Sequence, residues 1–321
     1  MTYRQKNATR QDSSSAAVLV DGAVADIDAI LALKSQPAAA VRKDAFRSVE
    51  DVLLAGALDD IAAAVAWFQD HCAASAVPDG VLHAPDAIEL LPPVLRPTKV
   101  IGVGMNYRSF LEQLGEPVPD HPTLFHKTSS ALRGHGQAVV IPPNTDQAVP
   151  EGELAVIIGR RASRISVAEA DDHIAGFACA NDISARNLEF QTSQWTSGKM
   201  LETFGPLGPA LVTRDEIADV NNLRVRTLLN GQVIQEGNTG SMVFSVQEII
   251  SRISMLVSLE VGDVVLTGTP SDLGEVDPPV FLTAQDVIRV EVESVGELEN
   301  PVIAGHLTER DRSVPLSVRT N

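Results

Sequence analysis

The sequence predicts an α+β protein that is rich in β-strands, with helices inserted between the strands and a small α+β domain at the N-terminus. Three observations lead to this prediction. Short apolar and β-branched runs separated by turn residues recur after residue 99. Helical patterns interrupt these runs without the regular alternation of a parallel α/β sheet. The proline-rich stretch LLPPVLRPT at 90–98 separates this part from the beginning of the chain.

The chain divides into two predicted domains, residues 1–95 and residues 96–321. In the first domain, the polar residues 1–15 predict a disordered tail, and two apolar runs around an Asp-Gly pair predict a hairpin at 16–27. Residues 44–74 are predicted to be helical because apolar side chains recur there at spacings of three and four. This buried stripe consists of Leu58, Ile61, Val65, Phe68 and Cys72.

The second domain is predicted to consist of strands that two helical segments interrupt. The pair Asn230-Gly231 between two alternating runs is a strong hairpin signal. Helices are expected near 166–173 and 245–258. The strand-like runs are KVIGVG (99–104), AVVIPP (138–143), ELAVIIG (153–159), LRVRTLLNGQVIQEG (223–237), GDVVLTGTP (262–270) and VIRVEVESVG (287–296).

Composition excludes several classes of protein. The 321 residues are 44% apolar, enough for a sizeable core, and the net charge of −17 predicts a surface that repels nucleic acids and anionic lipids. Two cysteines provide neither a disulfide framework nor a cysteine-based zinc site, and Cys179 is expected to be a small core residue. We see no apolar signal segment at the N-terminus and no apolar run of 18 residues, so we expect a cytoplasmic protein without a membrane partner.

Two glutamates precede the apolar strand ELAVIIG. Glu151 and Glu153 stand two residues apart, so on a strand their side chains point the same way. Neighbouring carboxylates repel each other unless a cation lies between them, and carboxylate oxygens are preferred ligands of Mg²⁺, Mn²⁺ and Ca²⁺. The alternative is a solvated strand end where both carboxylates face water. A third acidic ligand elsewhere in the chain would favour the metal site.

The third carboxylate is found in CANDISARNLEFQ. Asp182 follows an apolar run there, and Arg186 and Glu189 follow at spacings of four and three, which would place all three on one helical face. Lys199 lies in a Gly- and Pro-rich region of the kind in which loops approach ligands. These residues predict a hard cation beside basic groups, a site that suits a 2-oxo acid whose carboxylate and keto oxygens chelate the metal.

The strand-ending loop LTGTP completes the predicted site. Its backbone N–H groups, including that of Gly268, and the hydroxyl of Thr269 could hold a substrate carboxylate. Other motifs are weak: GVGMNY lacks the third glycine and the βαβ context of a dinucleotide site.

Six motifs in order resemble the fumarylacetoacetate hydrolase family between about residues 97 and 303. They are KVIGVGMNYRSFLEQLGEPVP, EGELAVIIG, GFACANDISARN, GKMLETFGPLGP, MVFSVQEIISRIS and LEVGDVVLTGTP. The resemblance implies a β-roll fold of mixed sheets, a homodimer and an active-site Mg²⁺ or Mn²⁺. It implies metal ligation by Glu151, Glu153 and Asp182, and catalytic or substrate-binding roles for Arg186, Lys199 and Thr269.

The chain departs from the family pattern in the lid segment after NYR. Hydrolytic members commonly carry there a His and, three residues later, a Glu that activate water, whereas this chain has Phe110 and Gln113. We expect both residues, together with Tyr107, to contact the substrate, and Phe110 to make the pocket more apolar for a bulkier substrate. Glu189 replaces a usual Gln and is a candidate base.

Two further base candidates are Lys199 and His126, and His126 is also expected to contact the substrate. The alternative for His126 is an exposed histidine at a strand end. The favoured activity is metal-dependent C–C hydrolysis of an acylpyruvate-like 2,4-dioxo acid through a metal-stabilised enolate. The alternative is an isomerase, tautomerase or decarboxylase acting on a hydroxymuconate- or oxaloacetate-like 2-oxo acid, which the missing His/Glu pair favours. A non-enzymatic metabolite-binding protein is a third alternative.

Overall fold

The computed structural model describes residues 1–6, 14–20, 22–34, 46–71 and 77–305. Its strands are β1 (Thr2–Gln5), β2 (Ser15–Val20), β3 (Ala23–Asp26), β4 (Leu82–His83), β5 (Ile88–Leu91), β6 (Val100–Gly104), β7 (Thr123–Lys127), β8 (Leu132–Arg133), β9 (Val139–Ile141), β10 (Ala148–Val149), β11 (Gly152–Ile158), β12 (Ile174–Asn181), β13 (Ser184–Ala185), β14 (Gly205–Thr213), β15 (Arg224–Leu229), β16 (Gln232–Asn238), β17 (Val264–Leu266), β18 (Val287–Val292) and β19 (Gly296–Ala304).

The α-helices in these ranges are α1 (Ile27–Lys34), α2 (Val49–Leu54), α3 (Leu58–His71), α4 (Arg108–Leu114), α5 (Arg186–Glu189), α6 (Thr196–Lys199) and α7 (Val246–Leu256). Short 3₁₀ helices lie at Pro85–Ala87, Ser129–Ala131, Val167–His173, Arg214–Glu216 and Thr239–Ser241. The mixture of many strands with inserted helices confirms the predicted strand-rich α+β class. None of the helices in the described ranges has the length and apolar character needed to span a bilayer.

The N-terminal sheet has the strand order β4-β3-β2-β1-β5, with β1 paired to β2 and β5. The prediction of a disordered tail at 1–15 is therefore wrong for Thr2–Gln5, while residues 7–13 lie outside the described ranges. The strand is held because Tyr3 is buried and the buried Thr2 hydroxyl donates to Pro93 O at 2.8 Å. The predicted hairpin at 16–27 is confirmed as β2 and β3.

The predicted helix at 44–74 is two helices, α2 and α3. A capping box of Ser48 and Asp51 begins α2, and Gly56, whose φ is +62°, lies in the turn between them. Ile61 and Phe68 of the predicted stripe are buried, whereas Cys72 lies outside the described residues. The glycine conformation is incompatible with a continuous right-handed helix and explains the interruption.

The proline-rich stretch at 90–98 is packed rather than a free linker. Val94 is fully buried and belongs to one core cluster with Val49 and Leu53 of α2 and Ile157 of β11. Apolar contacts therefore cross the predicted boundary near residue 95, and the division into two domains stays a prediction.

Two further sheets are formed by strands between residues 100 and 304. The central one has seven strands in the order β7-β6-β17-β11-β12-β14-β8, and the other has five strands in the order β16-β15-β18-β19-β9. One core cluster joins both sheets to α7, and its buried members include Val156, Phe177, Val225 and Val290. The predicted hairpin is confirmed, with Asn230 and Gly231 at φ values of 52° and 82° between β15 and β16.

Candidate active site

The three predicted metal ligands meet at one edge of the central sheet. The strands β11 and β12 are antiparallel, with Gly152 opposite Asn181, so the start of β11 and the end of β12 lie side by side. Glu151 and Glu153 flank Gly152, and Asp182 follows Asn181. One carboxylate oxygen from each of the three residues lies within 4.8 Å of the others. Because their exposed fractions are 5%, 1% and 0%, the solvated alternative is wrong.

Two buried lysines contact this carboxylate cluster. Lys199 Nζ lies 2.7 Å from both Glu151 Oε2 and Asp182 Oδ2, as the prediction of a basic group beside the cluster requires. Lys127 Nζ lies 2.6 Å from Asp182 Oδ1. Burial opposes ionisation of Asp182, but the two lysines hold the pKa of its carboxyl below the ordinary value. Sequence reasoning missed Lys127, which lies in a short strand, TLFHK, that mixes apolar and polar residues.

Arg186 is held by three carboxylates. Its Nη2 donates to Glu151 Oε1 and to Asp272 Oδ1 at 2.9 Å each, and its Nη1 donates to Glu189 Oε2 at 3.1 Å. Of the three residues predicted to share a helical face, Arg186 and Glu189 lie one turn apart on α5, whereas Asp182 precedes this helix and is not on its face. The contact of Arg186 with Asp272 links residues 86 positions apart, and sequence reasoning missed it.

Glu189 is buried but lines the pocket beside the cluster. Burial raises the pKa of its carboxyl above the ordinary value, although Lys199 and Arg186 act in the opposite direction. Its Oε2 accepts the bond from Arg186, and within the described residues its Oε1 accepts none. One carboxylate oxygen of Glu189 is therefore available to a bound molecule.

The ionisable side chains of the site carry an excess of negative charge that a divalent cation could balance. The site contains five carboxylates and three cationic side chains, so it has an excess of two negative charges when all are ionised. The carboxylates are Glu151, Glu153, Asp182, Glu189 and Asp272, and the cations are Lys127, Lys199 and Arg186. Burial together with Asp182 and Glu151 raises the pKa of Glu153 well above its ordinary value. A cation of charge two would neutralise this excess, and an all-oxygen donor set suits a hard ion. The cluster therefore fits a divalent metal.

The loop after β17 closes the cluster from one side. Gly268, with φ of +101°, donates its backbone N–H to Glu153 Oε2 at 2.8 Å. This N–H is already bonded to a predicted ligand carboxylate, and its contact with substrate stays a prediction. The next residue, Thr269, lines the pocket, and its Oγ1 accepts a bond from Gln235 Nε2 at 2.8 Å. Its own hydroxyl proton is thus directed elsewhere.

The helix α4, which we call the lid helix, covers the pocket. Phe110 is buried and lines the pocket, as expected. Gln113 does not: its Nε2 donates to Asp272 O at 2.8 Å, and its Oε1 accepts from Asp272 N at 2.9 Å. Both ends of its amide therefore dock the lid helix on the Asp272 loop, and the expected contact of Gln113 with substrate stays a prediction. Ser109 Oγ adds a bond to Pro270 O at 2.6 Å.

Two other predicted substrate contacts lie outside the pocket. Tyr107 is fully buried in a cluster with Phe110 and Met242. His126 is exposed, and its Nδ1 lies 2.8 Å from Val100 O. Side chains alternate along β7, so His126 points away from the side that Phe125 and Lys127 share. The alternative of an exposed histidine is therefore the correct one.

Comparison with known proteins agrees with this arrangement. Residues 99–303 match the family model of the fumarylacetoacetate (FAA) hydrolase C-terminal domain. Human mitochondrial oxaloacetate tautomerase FAHD2A is 43% identical over 219 residues, which are 67% of this chain and 70% of that protein. The residues that match the family model include Glu151, Glu153 and Asp182.

Solved structures add two similar proteins. The 5-carboxymethyl-2-hydroxymuconate delta-isomerase of Mycobacterium smegmatis is 34% identical with a TM-score of 0.63, covering 71% of this chain and 86% of its own. The maleylpyruvate hydrolase of Sphingobium sp. SYK-6, solved with manganese(II) and pyruvate, is 26% identical with a TM-score of 0.70, covering 92% and 98%. This chain is therefore an enzyme of the fumarylacetoacetate hydrolase family.

Proposed function

We propose that this enzyme catalyses the keto–enol isomerisation of a 2-oxo acid by moving a proton at C3, with a divalent metal such as Mg²⁺ or Mn²⁺ at the carboxylate cluster. One observation carries the proposal: the two positions of the lid helix at which hydrolytic members carry a His and a Glu hold no group that could activate water. Phe110 has no ionisable group, and the Gln113 amide is bonded at both ends to the Asp272 backbone. This reverses the order of the sequence-based prediction, which favoured hydrolysis.

The metal, when bound, would polarise the 2-oxo group and so make the C3 proton more acidic. The chain provides the group that takes this proton. Glu189 Oε1 has no hydrogen-bond partner among the described residues, while Oε2 is fixed by Arg186. The C3–H electron pair moves into the C2–C3 bond, the keto π electrons move to oxygen, and the proton passes to Glu189. Return of the proton to the oxygen gives the enol, and return to carbon regenerates the keto acid.

The electrostatics of Glu189 suit this exchange. A base that must also return its proton works best when its pKa lies near the working pH, and burial raises the pKa of Glu189 in that direction. Burial lowers the pKa of Lys199, but the neighbouring carboxylates of Asp182 and Glu151 raise it above the ordinary value. Lys199 therefore stays charged and acts as a cation rather than as a base. Thr269 can donate its hydroxyl proton to the substrate carboxylate because its oxygen accepts from Gln235.

Hydrolysis is the second candidate. It is favoured by the maleylpyruvate hydrolase from Sphingobium, which is similar over 92% of this chain. Glu189 would then have to activate water, since neither Phe110 nor Gln113 can do so.

The test is proton NMR in D₂O with Mg²⁺, using 2-oxobutanoate for exchange and acetylpyruvate for cleavage. We expect deuterium to enter C3 of 2-oxobutanoate faster than without enzyme, while acetylpyruvate is not cleaved to pyruvate and acetate. The Glu189→Gln variant should lose about 100-fold or more of the exchange rate, and His126→Gln should retain it. Cleavage of acetylpyruvate without enzyme-dependent exchange of 2-oxobutanoate would replace isomerisation by hydrolysis.

Assembly and location stay predictions. We propose a homodimer, for which light scattering should give twice the chain mass of 34.2 kDa. A mass of one chain at working concentrations would contradict it. Cytoplasmic location is expected from the sequence, whereas the similar human tautomerase is mitochondrial.

A further inference from the structure

The pocket has two chemically different sides. One side carries the carboxylate cluster with Arg186, Lys199 and Thr269. The other side, which we call the apolar wall, is formed by Val103, Met105, Phe110, Leu114, Phe125, Phe190 and Trp195. A ligand that chelates a metal at the cluster would extend its remaining atoms along this wall.

Two glycines of β6 allow two aromatic rings of the apolar wall to lie against the strand. Gly102 and Gly104 lie on the same face of β6 because side chains alternate along a strand. A Cβ on Gly102 would lie 2.1 Å from Phe125 Cζ, and one on Gly104 would lie 2.3 Å from Trp195 Cζ3. The rings of Phe125 and Trp195 therefore rest directly on the strand backbone. They contact each other edge to face, with centroids 6.0 Å apart and planes at 64°.

Among the described residues that line the pocket, every cationic side chain already has carboxylate partners. These side chains are Arg186 and Lys199. Lys199 is paired with two carboxylates of the cluster and lies 4.8 Å from the centre of the Phe125 ring. Arg186 is paired with three carboxylates, among them Glu189 and Asp272, which both line the pocket. A negatively charged tail would meet these carboxylates, and the cations beside it would already be shared with them.

We infer that the substrate carries a single carboxylate, next to its 2-oxo group, and an apolar tail of about the size of a phenyl ring. The tail packs between Phe110 of the lid helix and the rings of Phe125 and Trp195. The inference rests on the proposed function for the 2-oxo acid, and on the apolar wall for the tail. It excludes short dicarboxylates as preferred substrates, because their second carboxylate would lose its hydration without gaining a cation that is not already shared.

The test measures binding rather than turnover. Three oxamates imitate 2-oxo acids but carry nitrogen in place of C3 and cannot enolise: oxamate without a tail, N-phenyloxamate with an apolar tail, and N-oxalylglycine with a carboxylate tail. Isothermal titration calorimetry of the Mn²⁺-loaded protein should give a Kd for N-phenyloxamate at least about tenfold lower than for oxamate, since a ring is buried. N-oxalylglycine should bind no more tightly than oxamate.

Substituted proteins test where the apolar tail of the ligand binds. Phe110→Ala should remove most of the advantage of N-phenyloxamate and leave oxamate binding unchanged, whereas Leu256→Ala, a truncation at a side chain that is 75% exposed, should leave both unchanged. The chain has two tryptophans, so Trp67→Phe leaves Trp195 as the only fluorophore of this kind. Its emission should change with N-phenyloxamate more than with oxamate.

Two outcomes separate this inference from the proposed function. If N-oxalylglycine binds the wild-type protein at least as tightly as N-phenyloxamate, the pocket accepts a charged tail and this inference is overturned, while the proposed isomerisation stands. If none of the three oxamates binds, the 2-oxo acid site itself is absent and both proposals fall. The comparison of the three ligands on the wild-type protein tests the preference for an apolar tail even if a variant fails to fold.

Discussion

The two bonds between Gln113 and the Asp272 backbone should determine how firmly the lid helix stays on the pocket. Gln113→Ala removes both bonds, of 2.8 and 2.9 Å. Because Gln113 is exposed, water can replace them, and each bond then contributes a net free energy of about 0.5–1.5 kcal/mol. The sum is about 1–3 kcal/mol, which corresponds to a rise of about 5- to 140-fold in the population of the undocked lid.

Amide hydrogen exchange measures this rise. The Asp272 amide loses its acceptor directly, so the informative amide is that of Gly274, which donates to Asp272 Oδ1 at 2.8 Å and is untouched by the substitution. Gly274 should exchange about 5- to 140-fold faster in Gln113→Ala, and by an intermediate factor in Gln113→Glu, which can still accept from Asp272 N. Glu112→Ala, at the exposed neighbouring position, is the control. Exchange of Gly274 within twofold of wild type in Gln113→Ala would refute the docking role.

Three further predictions concern the metal cluster, the core thiol and the hairpin. Asp182→Asn should weaken Mn²⁺ binding, followed by electron paramagnetic resonance, at least about tenfold, while His126→Gln leaves it unchanged; equal affinities would argue against the cluster as the metal site. Burial raises the pKa of Cys179 to about 12, so a Cys72→Ser protein should not react with Ellman's reagent at pH 8 until unfolded, and rapid reaction of the native protein would contradict this. Gly231→Ala, at φ of +82°, should lower the free energy of unfolding in urea by about 1–2 kcal/mol, and a change below about 0.5 kcal/mol would show that the turn relaxes.

Local sequence patterns predicted most of the strands in the larger part of the chain. Apolar β-branched runs such as 153–159 and the Asn-Gly hairpin carry their signal within a few residues, and the structure places β11, β15 and β16 at these positions. Patterns failed where the partner lies far along the chain. The strand Thr2–Gln5 is short and polar, and it is held by pairing with Ile88–Leu91, more than eighty residues away.

The sequence by itself determined the family and the three carboxylates of the cluster, because each stands in a motif whose residue order and spacing can be read directly. Only the tertiary structure decided what each side chain contacts. Gln113 bonds a residue 159 positions away, Lys127 reaches Asp182 from another strand, and the Gly268 N–H serves Glu153. The physical reason is that hydrogen bonds and ion pairs depend on distance and direction in space. Those follow from strand register and loop closure, which bring together residues that no local pattern relates.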